Sequence, residues 1–179
     1  MDPIISRLQK HFSWITQLVD SITTQTIAEN RPDIIGITIP FPGTLFFALH
    51  IAKFCRKNFP AIKIVLGGGY VNTELRSLED DRIFDFAHQI TFDEGFAPML
   101  GVVGAIPPVR TLTKETLAHR DEIIAQKSPV EIPAIIEPDY NGLDMSLYFD
   151  ITETANPMQR IWSEGKWLKL QLANGCYWG

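Results

Sequence analysis

Two β-branched apolar runs, a helix apart, set what this chain can fold into. Asp33-Ile34-Ile35-Gly36-Ile37-Thr38-Ile39 suits a strand buried on both faces, and Ile62-Lys63-Ile64-Val65-Leu66 reads as the next strand. Between them, Pro40-Phe41-Pro42-Gly43 cannot continue a strand, and Thr44 can cap a helix running to about Asn58. Lys53, Arg56 and Lys57 fall in its last turns, where the helix dipole favours cations. A weaker third strand is expected at His88–Phe92, and short helices at Ser77–Phe84 and Ala97–Val103. Strand-helix units of this length imply parallel strands joined by crossovers. The expectation is therefore an α/β fold, a parallel sheet flanked by helices. Such sheets bind ligands at the carboxyl ends of their strands, so the loops Pro40–Thr44, Gly67–Asn72 and Asp93–Phe96 matter most.

The flanking segments are simpler. Ile5, Leu8, Phe12, Ile15, Val19 and Ile22 step by threes and fours, which predicts one amphipathic helix over 4–28, ended by Asn30-Arg31-Pro32. From Ala105 periodicity fades, although Val109–Thr113 can form a strand. Six of the twelve prolines lie between Pro107 and Pro157. This divides the chain into an α/β domain over 1–104, a proline-rich irregular connector over 105–160, and a final segment, 161–179. There, Leu168–Ala173 alternates apolar and polar residues as a half-buried strand does. Ending on Cys-Tyr-Trp-Gly suggests a chain cut as another domain begins.

Charge and cysteine content exclude several classes. The net charge of −5 offers no electrostatic footprint for nucleic acid or an anionic membrane. There is no apolar run long enough to span a bilayer and no signal-peptide pattern. Cys55 and Cys176 do not make a disulfide framework. A cytoplasmic protein is expected.

Gly67-Gly68-Gly69 closes the second strand. Glycines there either make a tight turn or let a bulky ligand approach the backbone. Neither Gly-x-Gly-x-x-Gly nor Gly-x-x-x-x-Gly-Lys-Ser/Thr occurs, which disfavours dinucleotide and P-loop chemistry. His50 lacks partners for a metal site, and Glu79-Asp80-Asp81 reads as solvated surface.

Thr38-Ile39-Pro40, then 26 residues, then Gly67-Gly68 is similar to the Ser/Thr-x-Leu and Gly-Gly pair of cobalamin-binding domains. The wider stretch from Gly36 to Thr44, and from Leu66 to Arg76, resembles the B12-binding domain of B12-binding radical S-adenosylmethionine (SAM) proteins, the group that includes anaerobic magnesium-protoporphyrin monomethyl ester oxidative cyclases. Ala173-Asn174-Gly175-Cys176-Tyr177-Trp178 resembles the start of a radical SAM domain. The resemblance implies a Rossmann-like or flavodoxin-like sheet and a slot for the dimethylbenzimidazole tail of cobalamin. It assigns cofactor contact to Thr38, Pro40, Phe41, Gly43, Thr44, Gly67, Gly68, Gly69, Tyr70, Asn72, Asp93, Glu94 and Gly95. It makes Cys176 one ligand of a [4Fe-4S] cluster that, with SAM, would operate only in an intact parent enzyme. Three departures stand out: Pro40 replaces the usual Leu, Phe96 stands where a Glu is usual, and no Asp-x-His-x-x-Gly is present.

Only a helix precedes Asp33, so the sheet is expected to lack its first strand and to expose an edge, leading either to self-association through that edge or to weak stability. Trp162 and Trp167 are expected to pack against the missing radical SAM domain. Two readings stay open: a cobalamin-binding module, and a ligand-free Rossmann-like interaction module whose slot is lost.

Overall fold

The computed structural model describes residues 2–10, 13–93, 95–130, 139 and 141–142. The chain forms two compact units, Met1–Pro133 and Ala134–Gly179. The expected strand at 168–173, Trp162, Trp167, Glu94 and Cys176 lie outside the described residues.

The first unit is a mixed α/β structure, consistent with a Rossmann-like fold. Its elements are α1 (Asp2–Lys10), α2 (Trp14–Asn30), β1 (Ile34–Thr38), α3 (Pro42–Asn58), β2 (Lys63–Gly67), α4 (Gly69–Thr73), β3 (Gln89–Thr91), α5 (Phe96–Val102), β4 (Thr111–Leu112) and α6 (Arg120–Ile124). The open four-stranded sheet has the order β1-β2-β3-β4. β1, β2 and β3 run parallel, with Ile34 opposite Lys63, Thr38 opposite Gly67 and Val65 opposite Gln89. β4 returns antiparallel to β3, pairing Ile90 with Leu112 and Thr91 with Thr111. β4, within the stretch read as a connector, completes this sheet, and the first compact unit runs to Pro133.

β2 is the strand buried on both faces: Ile64, Val65 and Leu66 are all inaccessible. β1 differs from that expectation. Ile35 and Ile37 pack against the main core, while Gly36 and Thr38 are exposed. The alternation of a strand's side chains separates the two sets. β1 is an edge strand with one covered face, and its isoleucine content alone does not reveal this.

The N-terminal helix divides into two. Ser13 caps α2: its hydroxyl accepts from Thr16 N–H, and Thr16 Oγ1 accepts from Ser13 N–H at 3.0 Å. This reciprocal box starts a new helix and breaks the expected stripe. α2 turns Thr16, Asp20, Thr23 and Ile27 inward, and Asp20 reaches His50 of α3 at 2.8 Å. Trp14, Leu18 and Ile22 lie on the opposite face and are exposed, Ile22 to 55%. α3 also starts earlier than expected, with Pro42 in its first turn, where a missing N–H costs nothing. The short helix expected at Ser77–Phe84 is a 3-10 turn at Asp81–Asp85.

His88 ties the amino end of the sheet together. Its N–H donates to Ile64 C=O, and its Nδ1 accepts from Ile64 N–H, each at 2.9 Å. The Arg56 guanidinium of α3 faces Nε2. Burial first, then the Arg56 and Lys63 charges, push the His88 pKa below its ordinary 6.5. The unfolded chain therefore binds a proton more readily than the folded one. The stabilisation by neutral His88 is complete above about pH 6.5 and declines as pH falls toward the lowered folded value. Urea midpoints should drop from pH 7.5 to 5.5, and His88→Gln should reduce that drop. An imidazole titration midpoint at or above 6.5 by NMR would contradict this.

Candidate functional site

The carboxyl ends of β1 and β2 meet more closely than side chains normally allow. Ile39 N–H donates to Gly67 C=O at 2.8 Å, and Tyr70 N–H donates to Ile39 C=O at 2.9 Å. Gly68 lies between these bonds with φ +103°. A Cβ there would stand 2.8 Å from Ile39 N, 2.9 Å from Ile39 O and 2.9 Å from Thr38 Cγ2. A Cβ on Gly69 would meet Pro40 O at 3.2 Å, and one on Gly67 would meet Thr91 Oγ1 at 3.0 Å. These glycines thus admit the chain's own backbone and the Thr91 hydroxyl, which donates to Leu66 C=O at 3.2 Å.

This approach builds a cleft of about 470 Å³ at the strand ends, lined by Pro40, Phe41, Pro42, Gly69, Tyr70, Thr73 and Glu74. Phe41 is 71% exposed, unusual for so large an apolar side chain. The mouth is aromatic and prolyl, with the Glu74 carboxylate supplying a negative charge. Thr44 holds the loop: its hydroxyl donates to Phe41 C=O at 2.8 Å and its N–H at 3.1 Å. Gly43 sits exposed in the first turn of α3, with open space where a side chain would go.

Four of the expected residues, Pro40, Phe41, Gly69 and Tyr70, line the cleft directly. Thr38, Gly67, Gly68 and Thr44 do not line it: Gly68 packs against Thr38 and Ile39, Gly67 against Thr91, and Thr44 holds the Phe41 loop. Asn72 and Asp93 form a separate lock. Asn72 Nδ2 donates to Asp93 C=O at 3.1 Å, and Asp93 N–H donates to Asn72 Oδ1 at 2.7 Å. The Asp93 carboxylate is shared by Arg76 at 2.9 Å and Arg110 at 3.1 Å. Asp93 and Gly95 have φ of +65° and +81°, giving the sharp turn into α5. Thr73, Glu74, Arg76 and Arg110 did not stand out in the sequence. The first three follow the glycines on α4 and just beyond it, a helix hidden by reading Gly67–Asn72 as a loop.

A second cleft, about 570 Å³, lies among Leu78, Glu79, Lys114 and residues 117–122. None of the three predicted loops reaches it. Among the described residues no cluster of His, Cys, Asp or Glu can hold a metal ion. His50 is engaged by Asp20, and burial pushes the Cys55 thiol up, keeping it protonated. No described helix is long and apolar enough to cross a membrane. No family model, curated protein or solved structure matches this chain.

Gly68→Ala should destabilise the protein by about 2–4 kcal/mol in urea unfolding, because φ strain and a backbone clash coincide. Gly43→Ala, in open space on α3, should not destabilise the protein and should gain up to about 1 kcal/mol from helix propensity. Equal effects at both positions would contradict the close approach.

Proposed function

We propose that this chain is a cobalamin-binding module of the kind that accompanies a radical SAM domain, in a cytoplasmic protein. The observation that carries the reading is the strand-end cleft. It lies where open parallel sheets take ligands, and its Phe41, Tyr70 and Pro40 lining suits a flat heterocycle. The residues present fit the dimethylbenzimidazole tail there, beside Gly69 rather than between Gly68 and Ile39, where the chain's own backbone fills the space. Phe41 and Tyr70 would hold the base, and Thr44 would fix the loop that presents Phe41. Bound cobalamin supplies a cobalt centre for methyl transfer or electron transfer. The module's share is to seat the cofactor and exclude water from one face. A [4Fe-4S] cluster and SAM belong to the partner domain of this reading, with Cys176 as one cluster ligand.

A second reading has its own support. The space at Gly68 is explained by intrachain packing alone, which fits a ligand-free interaction module.

Titration of reduced hydroxocobalamin, followed by its visible spectrum, separates the two. The cobalamin reading predicts a saturable spectral change, weakened about tenfold by Tyr70→Ala or Phe41→Ala, since a ring contact is worth about 0.5–1.5 kcal/mol beyond area burial. No spectral change at high protein concentration would leave the interaction module.

A further inference from the structure

We propose that a second copy of this chain docks on the outer edge of β1, the two β1 strands running antiparallel about Gly36. This inference does not depend on cobalamin binding.

It starts from where the backbone groups of β1 point. Asp33 C=O accepts from Lys63 N–H at 2.9 Å, and Ile39 N–H donates to Gly67 C=O at 2.8 Å. Asp33, Ile35, Ile37 and Ile39 therefore face β2, because in a parallel ladder alternate residues serve alternate sides. Ile34, Gly36 and Thr38 face the other way. Their N–H and C=O groups have no partner among the described residues.

Edge strands of monomers are commonly blunted by Lys, Pro or a bulge. β1 carries none of these: its sequence is Ile-Ile-Gly-Ile-Thr, and its register with β2 is unbroken over all five residues. Gly36, at its centre, is exposed, and nothing lies within 4 Å of where its Cβ would stand on the open face of the sheet.

Self-complementarity selects the occupant. With Gly36 opposite its symmetry mate, Ile34 faces the copy's Thr38, and all three outward residues fall in hydrogen-bonded pairs, each exchanging two bonds. Asp33, the flanking charge, falls opposite the copy's Ile39. The two Asp33 carboxylates then lie at opposite ends of the junction, about 20 Å apart along the strands. No like charges meet, and every donor finds an acceptor. The product is a continuous eight-stranded sheet with a twofold axis, the commonest oligomer symmetry.

Sedimentation velocity of the full chain, with two variants, tests this. The wild type should show a dimer fraction that rises with concentration. Gly36→Lys places two ammonium groups face to face without disturbing the monomer, and should weaken dimerisation at least tenfold. Gly36→Cys should form a 36–36 disulfide under mild oxidation, mapped by peptide mass spectrometry. A hydrogen-bonded antiparallel pair holds its Cα atoms about 5.5 Å apart, within disulfide range. A monomer at every concentration overturns the proposal, whether its β1 edge is unprotected from amide exchange or protected by another segment such as 168–173. A dimer that survives Gly36→Lys and gives no 36–36 cross-link overturns it as well.

Discussion

The close passage of two backbones at Gly68 is the constraint on which the rest of the first unit depends. The end of β1 lies directly on the end of β2, bonded from Ile39 to both Gly67 and Tyr70. No side chain fits between them, so position 68 must be a glycine and must take a positive φ. That contact aims Pro40 and Phe41 across Gly69 and Tyr70, which makes the cleft. It also launches α3 and α4 from neighbouring points at the carboxyl end of the sheet. Fold and candidate site thus share one cause. A ligand reading must start from the cleft this contact creates, rather than from the glycines as an empty floor.

The sheet is built around β2, and its two margins are treated differently. On one side β4 pairs antiparallel to β3, and the Asn72–Asp93–Arg76–Arg110 lock pins the loop after β3. A carboxylate held by two guanidiniums and a reciprocal amide pair leaves that loop little freedom. On the other side β1 has one covered face and a bare edge. α2 carries a polar-lined inner face with Asp20 and Thr23, and an outer face with Trp14, Leu18 and Ile22 exposed. α5 likewise exposes Phe96, Met99 and Leu100, with Val103 exposed just beyond its end. Apolar stripes of this kind mark surfaces of interaction more often than they decorate an isolated domain.

The sheet was legible in the sequence where burial is two-sided. Ile62–Leu66 reads as a strand and forms β2, whose β-branched continuity coincides with burial on both faces. The same composition misleads at Asp33–Ile39. An edge strand with isoleucines on its covered face and Ile34 on its open face has the same one-dimensional pattern. The N-terminal helix failed differently. The three-and-four spacing from Ile5 to Ile22 is present, but the Ser13–Thr16 box restarts the helix and turns a different face inward. Local capping overrode periodicity. At the site, Pro40, Phe41, Gly69 and Tyr70 come together as strand-end topology predicts. Arg76 and Arg110 were invisible, because their partner Asp93 is distant from both in sequence and the pairing exists only in three dimensions.

The most direct measurement of the central claim compares cobalamin with cobinamide, the same corrin without its nucleotide tail, by amide NMR of the protein. If the strand-end cleft seats the base, cobalamin should shift the amides of Phe41, Gly43, Thr44 and Gly69–Glu74. Cobinamide should leave them in place. Identical shifts with both corrinoids, or no shifts in these residues, would contradict a base-binding cleft at the ends of β1 and β2.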